Sequence, residues 1–600
     1  MITHPLFARI TKSLILSMLL AAPAAAQQAA DAVAPEAATD VGFETLSPDV
    51  AAALQAKADG VPVTAQNWMI SAANPHAVQA GARVLRAGGS AADAMVAVQT
   101  VLGLVEPQSS GLGGGAFLVW YDAQSGEVTT LDGRETAPLA ATPRLFQDAD
   151  GKPLKFFDAV IGGRSVGVPG TPALMQAAHK KWGRLEWSGL FNDAAALAQN
   201  GFAVSPRLAG LVARDAKRLA LHPGTAAYFL PGGTPLQTGD LRQNPAYAQV
   251  LRTLAAEGAA AFYTGPLAAD IVTAVQSVTD NPGILSAADL SLYSVKERQA
   301  VCGAFMTYQV CGMGPPSSGA LAVGQILGVL DNLDISDRDA AQTWRRMGDA
   351  ARLAFADRGR YVADSDFVPV PVKGMLDEAY LADRAALLQG EAALESVKPG
   401  KPEFNHALIW ADDDAIELPS TSHISIVDSF GNALSMTTTI ENAFGSRVMV
   451  NGFLLNNELT DFSFSSHRDG VPIANRVEPG KRPRSSMAPT VVLKDGKPVL
   501  VIGSPGGSRI IGYVAQAIVA HLAWGMDVQQ AVAAPHAVNR FGTYDLEEGT
   551  AMAERAQELE KLGYKVNVRS LNSGLHAIAI SDSGLMGGAD PRREGIAMGE

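Results

Sequence analysis

The sequence predicts an α+β fold in which stacked β-sheets are covered by helices. Three observations carry this expectation. AADAMVAVQTVLGLV (91–105) has apolar residues at dense helical spacing, as a buried helix requires. HISIVDSFGNALSMTTTI (423–440) and TVVLKDGKPVLVIGSPGG (490–507) read as hairpins, each with turn residues between two apolar runs. Blocks of strand and blocks of helix then follow one another along the chain without an internal repeat, which favours layers over a solenoid.

Taken in order, Arg9 and Lys12 precede an apolar run, Leu14 to Leu20, and a small-residue stretch ending near Ala26. This is the pattern of an export signal covering 1–26, with an apolar run too short to span a membrane comfortably. Residues 27 to about 63 are rich in Ala, Pro and Asp and read as a loose leader. Two helices are expected around Gly88-Gly89 within 74–105. SSGLGGGAFLVWYD follows as a glycine loop entering a strand at Phe117 to Tyr121, paired through turn Asp122–Gly126 with VTTLD. Residues 170–280 carry helical patterns, 299–313 strands, 320–331 and 341–395 helices. Residues 396–420 are polar, acidic and bounded by proline, and read as a mobile segment. Strand 422–428, turn Ser429–Asn432 and strand 433–440 come next, then the second hairpin around Asp495-Gly496, a helix at 508–524, a helix at 551–562 and strands at 564–568 and 575–581.

Bulk properties exclude several classes. The 600 residues are 47% hydrophobic and 18% charged, which is globular and not disordered composition. A net charge of −13 argues against nucleic acid or an anionic membrane as partner. After the leader no segment reads as a membrane span. Cys302 and Cys311 flank β-type sequence and fit either a cross-hairpin disulfide in an oxidising compartment or two buried thiols. Two cysteines and ten scattered histidines make no metal site, and neither a metal nor an organic cofactor is expected.

Two short motifs mislead. Gly111 to Ala116 loosely fits a dinucleotide fingerprint, but that fingerprint needs a strand before it and a helix after it, the reverse of this order. Gly163-Arg164-Ser165-Val166-Gly167 fits a nucleophile elbow, yet Val168-Pro169-Gly170 follows where a helix should begin.

The chemistry points to Leu418-Pro419-Ser420-Thr421-Ser422-His423, where the acidic segment meets a strand. A hydroxyl residue there can attack its own preceding carbonyl. The freed threonine would carry a hydroxyl and an α-amine on one carbon, and an amine titrating near pH ~8 can act as its base. Around this point the chain resembles the γ-glutamyltransferase family of N-terminal-nucleophile hydrolases. The similar stretches are GGSAADA (88–94), SSGLGGGAF (109–117), DGRETAP (132–138), PPSSG (315–319), TSHISIVDSFGNALSMTTTIENAFG (421–445), LLNNELTDFS (454–463), GKRPRSSMAPT (480–490), GSPGGSRII (503–511) and ADPRREG (589–595). They stand in family order from about residue 65 to the end.

The resemblance implies a four-layer αββα sandwich of the N-terminal-nucleophile hydrolase type, cut into a large part (27–420) and a small part (421–600) that stay interlocked as a heterodimer. It implies Thr421 as nucleophile, Thr439 as the hydroxyl that orients it, and Gly506 and Gly507 as oxyanion donors. Arg134, Ser485 and Ser486 would hold the substrate α-carboxylate, and Asp461 its α-ammonium. Glu441 and Glu458 stand where mammalian and enteric members carry Asn and Gln, as in another bacterial branch with Glu at both positions, and should join Asp461 around the ammonium, with like-charge repulsion raising one carboxylate's pKa. The stretch from Asp461 to Ser485 is short, with Phe462 and Phe464 its only aromatics besides His467, which implies a short or absent lid and an open site. The implied reaction transfers a γ-glutamyl group from glutathione or a related amide to water or to an amino-acid or peptide acceptor, in the periplasm or outside the cell. Rival readings are a cephalosporin-type (glutaryl) acylase of the same superfamily, a serine hydrolase using Ser165, and an exported binding protein with a degenerate site.

Overall fold

The computed structural model describes residues 42–413, 415 and 417–600. The expected export signal at 1–26 lies outside the described residues.

Two seven-stranded sheets form the centre, and every pairing within them is antiparallel. The first runs, edge to edge, Ile596–Gly599, Met69–Ala72, Ser422–Val427, Ala433–Thr439, Gly115–Tyr121, Val128–Gly133 and Lys296–Gln299. The second runs Val63–Ala65, Gly584–Ala589, His576–Ser581, Lys497–Gly503, Thr490–Lys494, Tyr308–Gly312 and Val301–Phe305. Each sheet mixes strands from before and after residue 421. A cut there would leave two pieces held by shared ladders and a shared core.

Residue alternation explains the layering. On Ser422–Val427, Ile424 and Ile426 join an outer cluster with helices Pro75–Arg86 and Ala91–Val105. Val427, on the opposite face, packs between the sheets with Val119, Val491, Val501 and Ile578. The second sheet turns Val492, Leu500, Ile502 and Ala577 outward to Gly319–Asp331, Ala341–Tyr361 and Ile510–Leu522. Helices, sheet, sheet, helices is the αββα order. The inter-sheet layer also holds bonded polar groups: the Ser425 hydroxyl donates to the His576 carbonyl at 3.0 Å and the Ser435 hydroxyl to the Ile502 carbonyl at 3.1 Å.

Several expectations are corrected. Residues 42–63 do not form a loose leader: Pro48–Ala58 is a helix capped by Ser47, and Lys57 donates to the carbonyls of Arg593 and Gly595, both at 3.0 Å. An Ala-rich stretch looks structureless when its partner lies more than five hundred residues away. The predicted 508–524 helix opens with a short 3-10 turn, Gly507–Arg509, and is α-helical over Ile510–Leu522. The predicted 551–562 helix is broken into Ala551–Glu554 and Ala556–Lys561. Strand Lys565–Arg569 pairs in a separate three-stranded sheet. The last residues of the supposedly mobile 396–420 segment are buried.

Cys302 and Cys311 pair across the Val301–Phe305 and Tyr308–Gly312 hairpin and are disulfide-bonded. Closing so short a loop is worth about 2–3 kcal/mol. Replacing both cysteines by serine should lower the stability measured by urea unfolding by that amount. Among the described residues no helix is long and apolar enough to cross a membrane.

Candidate active site

Thr421 sits one residue before strand Ser422–Val427, with φ of +103°. That region is hostile to a β-branched residue and costs on the order of 1–3 kcal/mol. The register Ser422↔Thr438 sets Thr421 beside Thr439 at the far end of the hairpin, and their hydroxyl oxygens are 3.1 Å apart. The Glu441 amide donates to the Thr439 hydroxyl at 2.9 Å and fixes its orientation.

The carbonyl of Ser420, which precedes Thr421, accepts from the Gly506 amide at 3.3 Å. Gly506 and Gly507 have φ of +135° and +58°, so the loop needs glycine at both places. A Cβ on Gly507 would stand 2.6 Å from the Leu418 carbonyl oxygen, and one on Gly506 2.8 Å from the Tyr513 ring. These contacts hold one peptide N–H against the carbonyl whose oxygen would take negative charge if Thr421 attacked. Gly506→Ala should therefore slow any cleavage at 420–421 by about 100- to 1,000-fold, read as the rate at which two fragments appear by mass. Cleavage at the wild-type rate would remove Gly506 from this role.

The other site residues meet in one pocket. Thr421, Thr439, Gly507, Arg134, Glu441, Glu458, Asp461, Ser485 and Ser486 all line it, and so do Glu417 and Leu418. Arg134 follows strand Val128–Gly133 and is fully buried. It donates to Asp461 at 2.5 Å, to Glu458, and to the carbonyls of Pro483 and Arg484 at 3.2 and 2.9 Å. The two halves expected to grip a zwitterion thus pair with each other in the uncut chain. Glu441 accepts from the Leu418 amide at 3.1 Å and from the Asn457 side chain. Burial, then the charge of Asp461, pushes the Glu441 carboxyl well above the usual range. Glu458 and Asp461 are pushed up by burial too, and the nearby guanidinium offsets this only in part. One cation cannot neutralise so many carboxylates in a buried pocket. Among the described residues, Asp461 Oδ1 is buried without a hydrogen-bond partner, and Glu458 shares a hydrogen bond with the buried Glu135 carboxyl.

PPSSG (315–319) shapes the opposite wall. The Ser318 amide and hydroxyl both donate to the Ser485 carbonyl, at 2.8 and 2.6 Å, and the Ser485 amide donates to Pro316 at 3.0 Å. Ser486 donates its hydroxyl to Glu417. Phe462 and Phe464 face a small cluster with Phe146 and do not line the pocket. The decoys lie elsewhere: the Ser165 hydroxyl is buried and donates to the Val160 carbonyl at 2.6 Å, so it is no nucleophile at an elbow.

Sequence reasoning missed three participants. Arg593 donates to the Thr421 carbonyl at 3.1 Å; it lies inside the matching stretch ADPRREG, which offered the only sign of it. Arg358 and Glu417 reach the pocket wall from a helix and a loop with no local motif.

A threonine at the head of a central strand, between two sheets and two helical layers, is the architecture of the N-terminal-nucleophile hydrolases. The gamma-glutamyltranspeptidase family model matches residues 77–600. The glutathione hydrolase proenzyme of Bacillus subtilis strain 168 is 37% identical over 552 residues, covering 89% of this chain and 92% of that protein. The protein of the same name from Escherichia coli K12 is 35% identical, covering 88% and 91%. A cephalosporin acylase structure from Bacillus halodurans superposes with a TM-score of 0.78 at 25% identity, covering 90% of this chain and 97% of that one. The chain belongs to the gamma-glutamyltranspeptidase family.

Proposed function

We propose that this chain cuts itself between Ser420 and Thr421 and then works as a γ-glutamyltransferase and glutathione hydrolase. In the first step the Thr421 hydroxyl oxygen bonds to the Ser420 carbonyl carbon. The resulting oxyanion sits where the Ser420 oxygen already accepts from Gly506. The C–N bond breaks as the nitrogen takes the hydroxyl proton, leaving an ester between Ser420 and the Thr421 side chain. Water hydrolyses that ester, giving a Ser420 carboxylate, the Thr421 hydroxyl and a free α-amine. Cleavage also releases the positive-φ strain at Thr421.

In turnover the amine accepts the Thr421 proton while the oxygen attacks the γ-carbonyl of the donor. Gly506 and Gly507 serve the new oxyanion, and the leaving amine takes the proton. The γ-glutamyl ester then passes to water or to the amine of an amino acid or peptide. The names of the relatives support this substrate class. The observation that carries it is the pocket beside Thr421, where Glu441, Glu458 and Asp461 present their carboxyl groups, with Asp461 Oδ1 buried and without a partner among the described residues. A three-donor ammonium satisfies that oxygen, whereas a glutaryl group would leave it buried and unsatisfied. The disulfide and the N-terminal pattern support action outside the cytoplasm, with the two cut pieces remaining a heterodimer through their shared sheets.

The test is intact mass of the purified protein, followed by turnover of γ-glutamyl and glutaryl anilides. Two fragments, the smaller beginning at Thr421, and preference for the γ-glutamyl anilide are expected. A single uncut chain refutes self-processing, and preference for the glutaryl anilide moves the protein to the acylases.

A further inference from the structure

Glu417 lies four residues before Thr421, and its carboxylate fills the pocket wall that the acyl group's carboxylate should meet. Ser486 donates its hydroxyl to it. Arg358, from helix Ala341–Tyr361, donates to it as well, and also to the Ser486 hydroxyl at 2.8 Å and the Ser318 hydroxyl at 2.7 Å. Arg484 Nη2 stands 3.8 Å away but has its own carboxylate, Asp413, at 2.7 Å. Burial alone would push the Glu417 carboxyl up, yet the charges of Arg358 and Arg484 and the Ser486 hydroxyl hold it below its ordinary value. Arg134, the other cation here, already spends most of its donors on Glu458, Asp461 and two backbone carbonyls.

In the uncut chain Glu417 and Leu418 line the same pocket as Thr421. Cleavage after Ser420 turns this segment into a chain end, no longer tied to the strand that follows. If Glu417 withdraws, a buried guanidinium loses the carboxylate bonded to it, a costly state unless another anion replaces it. We propose that Arg358, with the Ser486 hydroxyl, is a carboxylate-binding and specificity-determining element for the acyl donor, and that Glu417 occupies it in the uncut chain as an internal stand-in. Arg358 would share the donor's terminal carboxylate with Arg134, reading it from the Ser485–Ser486 side. The inference rests on the acyl-transfer reading above, but needs only a donor with a carboxylate at the far end of its acyl chain, as γ-glutamyl and glutaryl groups both have.

The experiment compares three anilides: γ-glutamyl, glutaryl, and 4-aminobutanoyl, which keeps the ammonium and lacks the carboxylate. Arg358→Gln is made together with Glu417→Gln, so that the uncut chain holds no orphaned charge there, and compared with Glu417→Gln alone after cleavage has been verified by mass. The expected result is a fall in kcat/KM of about 10- to 100-fold for the carboxylate-bearing anilides, the size of a lost charge-assisted hydrogen bond, with little change for 4-aminobutanoyl anilide. An equal fall for all three, or no fall, overturns the proposal. Should the double variant stay uncut, Arg358→Lys keeps the charge and loses the fork. The same ratio is then read in that variant, and an unchanged ratio overturns the proposal. A wild-type enzyme that takes glutaryl and refuses γ-glutamyl anilide would defeat the γ-glutamyl reading while leaving Arg358 to be judged on the glutaryl compound.

Discussion

Thr421→Ala is expected to remain a single chain, fully folded and without turnover. The substitution removes the hydroxyl oxygen that stands beside Thr439, on the residue that follows the Ser420 carbonyl. Nothing else in the pocket can replace it: Ser485 and Ser486 are bound to the wall, and Ser420 donates its hydroxyl to the Gln108 carbonyl at 2.9 Å. Without cleavage there is no α-amine to serve as base, so two losses compound, and turnover should fall by about 10⁴-fold or more. Folding should survive, because Thr421 precedes the strand and the ladder from Ser422 onward is untouched. Thr421→Ser keeps the hydroxyl and should still cut. Intact mass and anilide turnover on the three proteins check this. An Ala variant that cuts at 420–421 would place the nucleophile elsewhere.

The second large effect concerns what the pocket selects. Glu441→Gln should lower kcat/KM for γ-glutamyl anilide by about 10- to 100-fold, the worth of a charge-assisted hydrogen bond to an ammonium. Glutaryl anilide should lose nothing, and the preference between the two should narrow or invert. The same carboxylates give a pH signature. Burial, followed for Glu441 by the charge of Asp461, raises Glu441, Glu458 and Asp461, so each gains its proton at a higher pH than a free carboxyl would. Falling pH protonates them and removes their pull on an ammonium; rising pH restores it. Preference for γ-glutamyl over glutaryl anilide should therefore increase with pH, until the substrate amine itself begins to deprotonate near pH ~8. The ratio is the proper measurement, because it cancels the titration of the Thr421 amine that both substrates share. A flat ratio across the acid range would show that these carboxylates do not face the acyl group.

What the sequence determined by itself was local or repeated in kind. The alternation in 422–439 around Phe430-Gly431-Asn432 defined a hairpin and therefore set Thr421 near Thr439. Asp495-Gly496 marked the second hairpin, with φ of +50° and +77° as its turn requires. The ordered family stretches named the pocket's residues before any geometry was known. Only the tertiary structure decided how those residues partner. Arg134 holds Glu458 and Asp461, more than three hundred residues distant, and Lys57 pins the chain's first described helix to Arg593 and Gly595. Glu417 reaches Arg358 and Ser486 from a segment whose polar composition looked mobile. The physical reason is that periodicity and turn chemistry report on neighbours a few residues apart. A buried charge, by contrast, is satisfied by whatever ion the stacked sheets bring to it, and no local pattern encodes that partner.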